Sequence, residues 1–296
     1  MDLKAYLTEK RAIIDKALGA YIPEPEGPSA ELVRAMNYSL FAGGKRLRPI
    51  LCMAGAEAVG GDSSAVLPVA CALELIHTYS LIHDDLPAMD NDDMRRGKPT
   101  SHRVFGEALA ILAGDALLTE AFHIMAGTDP DERLENAVFK EVMSLIAIAA
   151  GFQGMVGGQS LDIRMEGKNV DSSTVDFIHT RKTGALISAS VSSGAILGGG
   201  SRIEVDALRI YGDKIGLGFQ ISDDILDVEG DSEEMGKSAG VDKQKGKNTY
   251  PAIYGLQRSK MILEELVEAA IDSLKQFDRG ADPLRQIARY IIKRKG

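Results

Sequence analysis

The segment "HDDLPAMDNDDMRR", residues 83–96, places five aspartates between positions 84 and 93 and follows them with Arg95 and Arg96. Carboxylates this close repel one another, so a folded chain that keeps them needs cations nearby. Carboxylate oxygens without His or Cys ligands suit a hard ion such as Mg²⁺, which keeps waters and shares its shell with phosphate. A solvated acidic loop is the plain alternative, and Asp92 and Asp93 fit that description. The segment "GFQISDDILD", residues 218–227, repeats the device. On a helix Asp223 and Asp227 are an i,i+4 pair and Asp224 and Asp227 an i,i+3 pair, so all three face one way. Gln220 lies one turn before Asp224 on that side. Phe219, Ile221, Ile225 and Leu226 should bury this helix, and buried carboxylates need partners. Two acid clusters, each closing an apolar helix, argue for a shared metal site in a helical cavity.

Basic residues complete the pattern. "GGKRLRP" (43–49) carries Lys45, Arg46 and Arg48, without the spacing of a P-loop. Arg95 and Arg96 follow the first acid cluster. "HTRKTGA" (179–185) offers Lys182 and Thr183, and a Gly-rich stretch, 235–251, offers Lys237, Lys243, Lys245 and Lys247. Arg forks and Lys point charges bind phosphate oxygens. Any one of these reads as a surface charge; the set implies a polyanionic substrate, or two. His77 sits two turns before Asp84, near the same face. His83, His102, His123 and His179 have no metal-ligand spacing and receive no role.

The elements that must hold these residues are helices. Apolar spacing is helical almost throughout, with little period-two alternation. "IPEPEGP" (22–28) separates a first helix from a second that ends at Gly43–Gly44. Pro49 opens a third that stops at Gly60–Gly61. A segment over 64–86, apolar nearly all round, reads as a central buried helix. Pro87 disfavours helical geometry at Leu86 and puts Asp84 and Asp85 at a C-terminus, where the helix dipole is unfavourable for acids. A turn through "LPAM" can fold Asp90 back toward them. Further helices are expected near 104–127, 131–155, 173–197, 202–228, 248–275 and 281–293. No linker divides the chain, so one all-α domain over 1–296 is expected.

Bulk properties agree. The chain has 296 residues, no Trp and few aromatics, which favours closely packed helices. A net charge of −9 argues against a general nucleic-acid binder. Cys52 and Cys71 lie in apolar stretches and read as core. The N-terminus lacks a signal-peptide layout, and no run of about 18 apolar residues is present to span a membrane. A cytoplasmic protein is expected.

In order along the chain, "GGKRLRP", "HTYSLIHDDLPAMDNDDMRRGKPTSH", "GGQSLDI", "RKTGALI", "GFQISDDILD" and "GKNTYP" resemble the trans-prenyltransferases, or polyprenyl diphosphate synthases, of the bacterial and plastid farnesyl diphosphate synthase type. The resemblance runs end to end. It implies an isoprenoid-synthase bundle of about ten or more helices around a deep central cavity, and a homodimer. It implies that Asp84, Asp85, Asp90, Asp223, Asp224 and Asp227 hold about three Mg²⁺ around an allylic diphosphate. Arg95, Lys182 and Lys237 would grip that diphosphate; Lys45, Arg48, His77 and Arg96 would bind isopentenyl diphosphate. Thr183 and Gln220 would flank the reacting carbons, and Lys247 is a candidate for closing the site. Gln159 and Asp162 match a polar motif without an assigned role.

Product length is the finer question. Tyr79 lies five residues before Asp84, about 7.5 Å along a helix. In the resembling family an aromatic there forms a floor that stops the product at fifteen carbons. Helical angle alone does not show this, since Tyr79 is about 140° around from Asp84 and Ser80 is nearer its face. Geranyl and geranylgeranyl diphosphate synthases are the alternatives within the family. A terpene cyclase, a non-catalytic subunit and a phosphohydrolase are the alternatives outside that activity.

Overall fold

The computed structural model describes residues 1–127, 136–229 and 247–293. Their contacts form two compact units, one within residues 2–50 and 64–135, the other within 51–63 and 136–296. Apart from one two-stranded hairpin, the regular elements among the described residues are helical.

In the first unit α1 (Leu3–Tyr21) begins where the Asp2 carboxylate accepts the Ala5 amide hydrogen at 3.1 Å, a side-chain N-cap. α2 spans Ala30–Leu40, and α3 (Leu47–Ala58) starts in this unit. α4 (Leu67–Asp84) has Pro68 in its first turn, where the missing N–H costs nothing. The buried helix expected over 64–86 is therefore shorter at both ends. It is buried nearly all round and packs on α1, α2 and most closely α6 (Glu107–Gly127). Gly114 of α6 is the close approach: a Cβ there would stand 2.1 Å from His83 Nε2. The single helix expected over 104–127 is two, because Gly106 adopts φ 82 between α5 (Ser101–Phe105) and α6. Between α4 and α5, β1 (Met94–Arg95) pairs antiparallel with β2 (Lys98–Pro99). Arg96 and Gly97, both at positive φ, make the tight turn. Strands of two residues carry no readable alternation.

The second unit holds α3 from Leu51 onward, α7 (Asn136–Ala150), α8 (Met155–Met165) and α9 (Ser172–His179). A π-helical turn, Thr180–Gly184, leads into α10 (Ala185–Leu197). α11 (Arg202–Glu229), α12 (Tyr250–Tyr254), α13 (Leu256–Ser273) and α14 (Asp282–Lys293) complete it. α8 lies largely beyond the helix expected over 131–155, which stops at Ala150, where Gly151–Gly154 turn the chain. Gly255, at φ 79, divides the segment 248–275 into α12 and α13. α10 meets α3 backbone to backbone: a Cβ on Gly194 would be 1.8 Å from the Cys52 carbonyl oxygen, and one on Gly55 2.3 Å from that of Val191. α14 is pinned to α11 by Tyr211 Oη, which donates to the Leu284 carbonyl at 2.8 Å, and by Ser222 Oγ, which donates to that of Ile291 at 3.0 Å.

Cys52 and Cys71 are buried thiols. Two stretches have the length and mean apolarity of a membrane span without an unbroken apolar run. Glu107–Gly127 and Asn136–Met165 reach mean hydropathies of 1.5 and 1.3, long and apolar enough to cross a membrane by composition. Ala and Gly interspersed with Leu and Ile raise the average without an unbroken run. In α6 those small residues form the face buried in the core.

Candidate active site

The first acid cluster takes its shape from the end of α4. Asp84 is the last helical residue and Asp85 the cap, its N–H bonded to the Leu81 carbonyl at 3.1 Å. The chain then turns on Leu86, whose carbonyl accepts from Met89 and Asn91. That turn returns the Asp90 amide to the Asp84 carbonyl at 2.9 Å. The fold-back expected from "LPAM" is present. Asp84 and Asp90 are half-buried, whereas Asp85 is 3 % exposed.

Asp85 is neutralised by Arg95. The hairpin carries Arg95 back so that Nε contacts both carboxylate oxygens, at 2.8 and 2.9 Å, and Nη2 one of them at 2.6 Å. Burial works against the Arg95 charge, but hydrogen bonds and attraction from Asp85, with Asp84 and Asp92 behind it, outweigh burial and raise its pKa. Arg96, in the turn after β1, points toward "GGKRLRP" instead. Its Nη1 donates to the Gly43 carbonyl, and a Cβ on Gly44 would stand 2.8 Å from the guanidinium. Asp85, Arg95, Arg96, Lys98, Thr78 and Tyr38 are among the residues lining a groove enclosing about 370 Å³.

His77, two turns before Asp84 on α4, is half-buried. Burial holds its imidazole well below the usual pKa, and Arg48, Arg96, Arg95 and Arg46 push the same way. It is therefore a neutral hydrogen-bonding group in a cationic surrounding, which suits an anion. Lys45 is exposed and Arg48 half-buried. Tyr79 is 7 % exposed, with its ring edge-on to His83 at 5.7 Å between centroids. Burial pushes the Tyr79 phenol up to about 12, with Asp84 adding to the shift. Ser80 Oγ donates to the His77 carbonyl at 2.9 Å.

The second unit assembles its own cluster. The π-helical turn runs between two glycines of neighbouring helices: a Cβ on Gly158 of α8 would lie 2.3 Å from the Lys182 nitrogen, and one on Gly216 of α11 2.6 Å from the Gly184 Cα. Such turns add one residue to a helix and redirect side chains, often at functional sites. Here Thr183 Oγ1 donates to Gln220 Oε1 at 2.8 Å, Gln220 Nε2 reaches Asp224 Oδ1 at 3.3 Å, and Lys182 Nζ donates to Asp162 Oδ2 at 2.6 Å. Lys182, Gln220, Asp224, Lys247, His179 and Asp162 are among the residues lining a cavity of about 400 Å³. Asp223 and Asp227 are half-buried beside them on α11. Lys237 lies outside the described residues, as do Lys243 and Lys245.

Sequence reasoning missed two members of this cluster. His179, given no role, is buried with Nε2 2.8 Å from Asp224 Oδ2, and the Tyr250 amide donates to that same oxygen at 3.0 Å. The Tyr250 hydroxyl in turn donates to Asp176. The histidine lies 45 residues from its partner, so spacing could not reveal it. The sequence also grouped Arg46 with the phosphate-facing cations, whereas it is 3 % exposed and engaged by Asp15 and Glu74.

The donor sets fit Mg²⁺ in a particular way. Among the described residues no three His, Cys, Asp or Glu groups are gathered as a ready-made metal cage. Mg²⁺ bound by one or two carboxylates, with waters and substrate phosphate completing the shell, needs none. Asp84 with Asp90, and Asp223 with Asp227, offer such pairs.

A helical fold with two acid-tipped helices and flanking Lys and Arg defines an enzyme class that handles diphosphates. The polyprenyl synthetase family model matches residues 29–280, and the chain belongs to that family. It is 47 % identical, over 99 % of its length and 98 % of the relative's, to farnesyl diphosphate synthase of Geobacillus stearothermophilus. It is 46 % identical, over 99 % and 97 %, to geranylgeranyl diphosphate synthase of Cyanophora paradoxa. The crystal structure of geranylgeranyl pyrophosphate synthetase from Pyrococcus horikoshii superposes with a TM-score of 0.90 at 31 % identity, covering 99 % of this chain and 98 % of that one. The all-α fold is thus the isoprenyl synthase fold.

Proposed function

We propose that the protein, as a single domain over its 296 residues, condenses dimethylallyl or geranyl diphosphate head-to-tail with isopentenyl diphosphate, and that farnesyl diphosphate (C15) is the product. The observation that carries the reading is the cluster of Lys182, Thr183, Gln220 and Asp224, in which an ammonium and a carboxylate adjoin a Thr–Gln hydrogen-bonded pair. Ionising an allylic diphosphate leaves a carbocation and a polyanionic leaving group, and this cluster has a complement for each.

Bound Mg²⁺, about three ions, would be held by Asp84, Asp85 and Asp90 of the first unit and by Asp223, Asp224 and Asp227 of the second, and would supply Lewis-acid stabilisation of the leaving diphosphate. Asp85 and Asp224 are engaged here by Arg95 and by His179 with Tyr250, contacts that would orient their carboxylates toward the ions. Arg95, Lys182 and Lys237 would bind the leaving group, releasing Asp85 and Asp162 as the diphosphate arrives. Thr183 Oγ1 and Gln220 Oε1 would turn oxygen dipoles toward the carbon that becomes positive. Lys45, Arg48, His77 and Arg96 would hold isopentenyl diphosphate so that its double bond attacks that carbon. The departing diphosphate takes the proton lost after bond formation. Lys247, which lines the cavity, would help close it against water.

Tyr79, a buried aromatic five residues before Asp84 on α4, supports the C15 product as the side chain that would form the floor of the site. The second reading, a C20 product, draws support from the geranylgeranyl-named relatives. Exposed Ile111 and Leu112 on α6 support assembly as a homodimer, and a cytoplasmic location is proposed with it. Incubation with dimethylallyl diphosphate, isopentenyl diphosphate and Mg²⁺, followed by chromatography, is the test. A C15 chain is expected. A C20 chain overturns the product assignment, and no chain at all overturns the transferase reading.

A further inference from the structure

We infer that Arg46 is the positioning residue of the 43–46 turn, setting where Lys45, and Arg48 in the first turn of α3, stand relative to His77. The inference rests on the proposed isopentenyl diphosphate site. The turn has an uncommon backbone: Gly43, Gly44 and Arg46 adopt φ 97, 138 and 51. A bulky side chain at positive φ is unfavourable and persists only where its surroundings hold it.

What holds it is the Arg46 side chain, 2 % exposed. Nε donates to Asp15 Oδ1 of α1 at 2.8 Å, Nη1 to Glu74 Oε1 of α4 at 2.9 Å, and Nη2 to the Leu40 carbonyl ending α2 at 2.8 Å. Three helices therefore fix one residue of the turn. Glu74 is as buried as Arg46, and its second oxygen has no hydrogen-bond partner, so its charge is balanced through Arg46. Glu74 stands one helical turn before His77. The Arg46–Glu74 pair thus sets the separation between the turn that carries Lys45 and leads into Arg48 on α3, and the helix that carries His77. Arg96 closes the same turn from above through the Gly43 carbonyl. The fork geometry matters: the three acceptors are met by three different guanidinium nitrogens, and the single nitrogen of a lysine ammonium cannot stand within reach of all three positions.

The test separates positioning from stability. Arg46→Met alone strands a buried carboxylate and can fail to fold, so the informative variant is Arg46→Met/Glu74→Leu, which replaces the pair by apolar groups. Its thermal stability should stay near that of the wild type, while KM for isopentenyl diphosphate rises on the order of tenfold and KM for the allylic substrate is unchanged. Amide hydrogen exchange of residues 43–48 should speed up in parallel. Arg46→Lys should show the same KM split in milder form. A stable double variant with wild-type KM for isopentenyl diphosphate overturns the inference, as does a loss falling equally on both substrates. Wild-type protein that elongates no prenyl chain overturns the functional reading and takes this inference with it.

Discussion

Replacing Arg95 by Gln should expose how much of the first acid cluster depends on one guanidinium. Asp85 is 3 % exposed, and Arg95 contributes three contacts to it between 2.6 and 2.9 Å. Removing one partner of a fully buried ion pair costs about 3–5 kcal/mol, because the remaining charge stays buried. The Arg95 side chain keeps 26 % of its exposure, so water moderates the loss, and about 2–3 kcal/mol is the expected cost. In a chain of 296 residues that lowers Tm by roughly 3–5 °C. Asp85→Asn should cost less, and Asp85→Asn/Arg95→Gln should recover about 2 kcal/mol relative to the sum of the singles. Thermal denaturation of the four proteins, free of Mg²⁺ and substrate, gives the cycle directly. The same variants should raise KM for the allylic diphosphate. Additive single-variant losses, or an Arg95→Gln protein that melts with the wild type, would refute the view that this pair organises the end of α4.

Three further outcomes are expected. Tyr79→Ala should yield products of twenty carbons or more on chromatography, and products that stay at fifteen put the floor elsewhere. His179→Ala should lower kcat by about 10–100-fold by loosening Asp224, as loss of an orienting hydrogen bond does around ligating groups, with His179→Gln less impaired in steady-state assays. The depressed His77 pKa means that the unfolded chain takes up a proton that the folded one refuses as pH falls through about 6.5. Stability from this group is thus full above that pH and is lost below it; His77→Asn should flatten that decline by up to about 1.4 kcal/mol per pH unit in denaturant titrations at pH 5 and 7.

The helical character and both acid motifs were legible because they are local. Helical periodicity placed α11 within a residue of its observed ends, and the "LPAM" fold-back of Asp90 followed from a turn beside a proline. Breaks were not legible where a single glycine interrupts apolar spacing: Gly106 and Gly255 sit inside patterns that read as continuous helix. Nor could the sequence sort Lys45, Arg46 and Arg48. Three basic residues in four positions look alike until Asp15 and Glu74, from distant helices, claim the middle one. His179 was illegible for the same reason, its partner being supplied by tertiary packing.

The widened turn at Thr180–Gly184 amounts to one surplus residue threaded into an otherwise continuous rod. Excising any one residue there would let the rod run straight and rotate everything on its upstream side by about 100° relative to the downstream side. His179 would swing away from α11 while α10 kept its seat. The chain can therefore accept substitutions across this stretch far more readily than a change in its length.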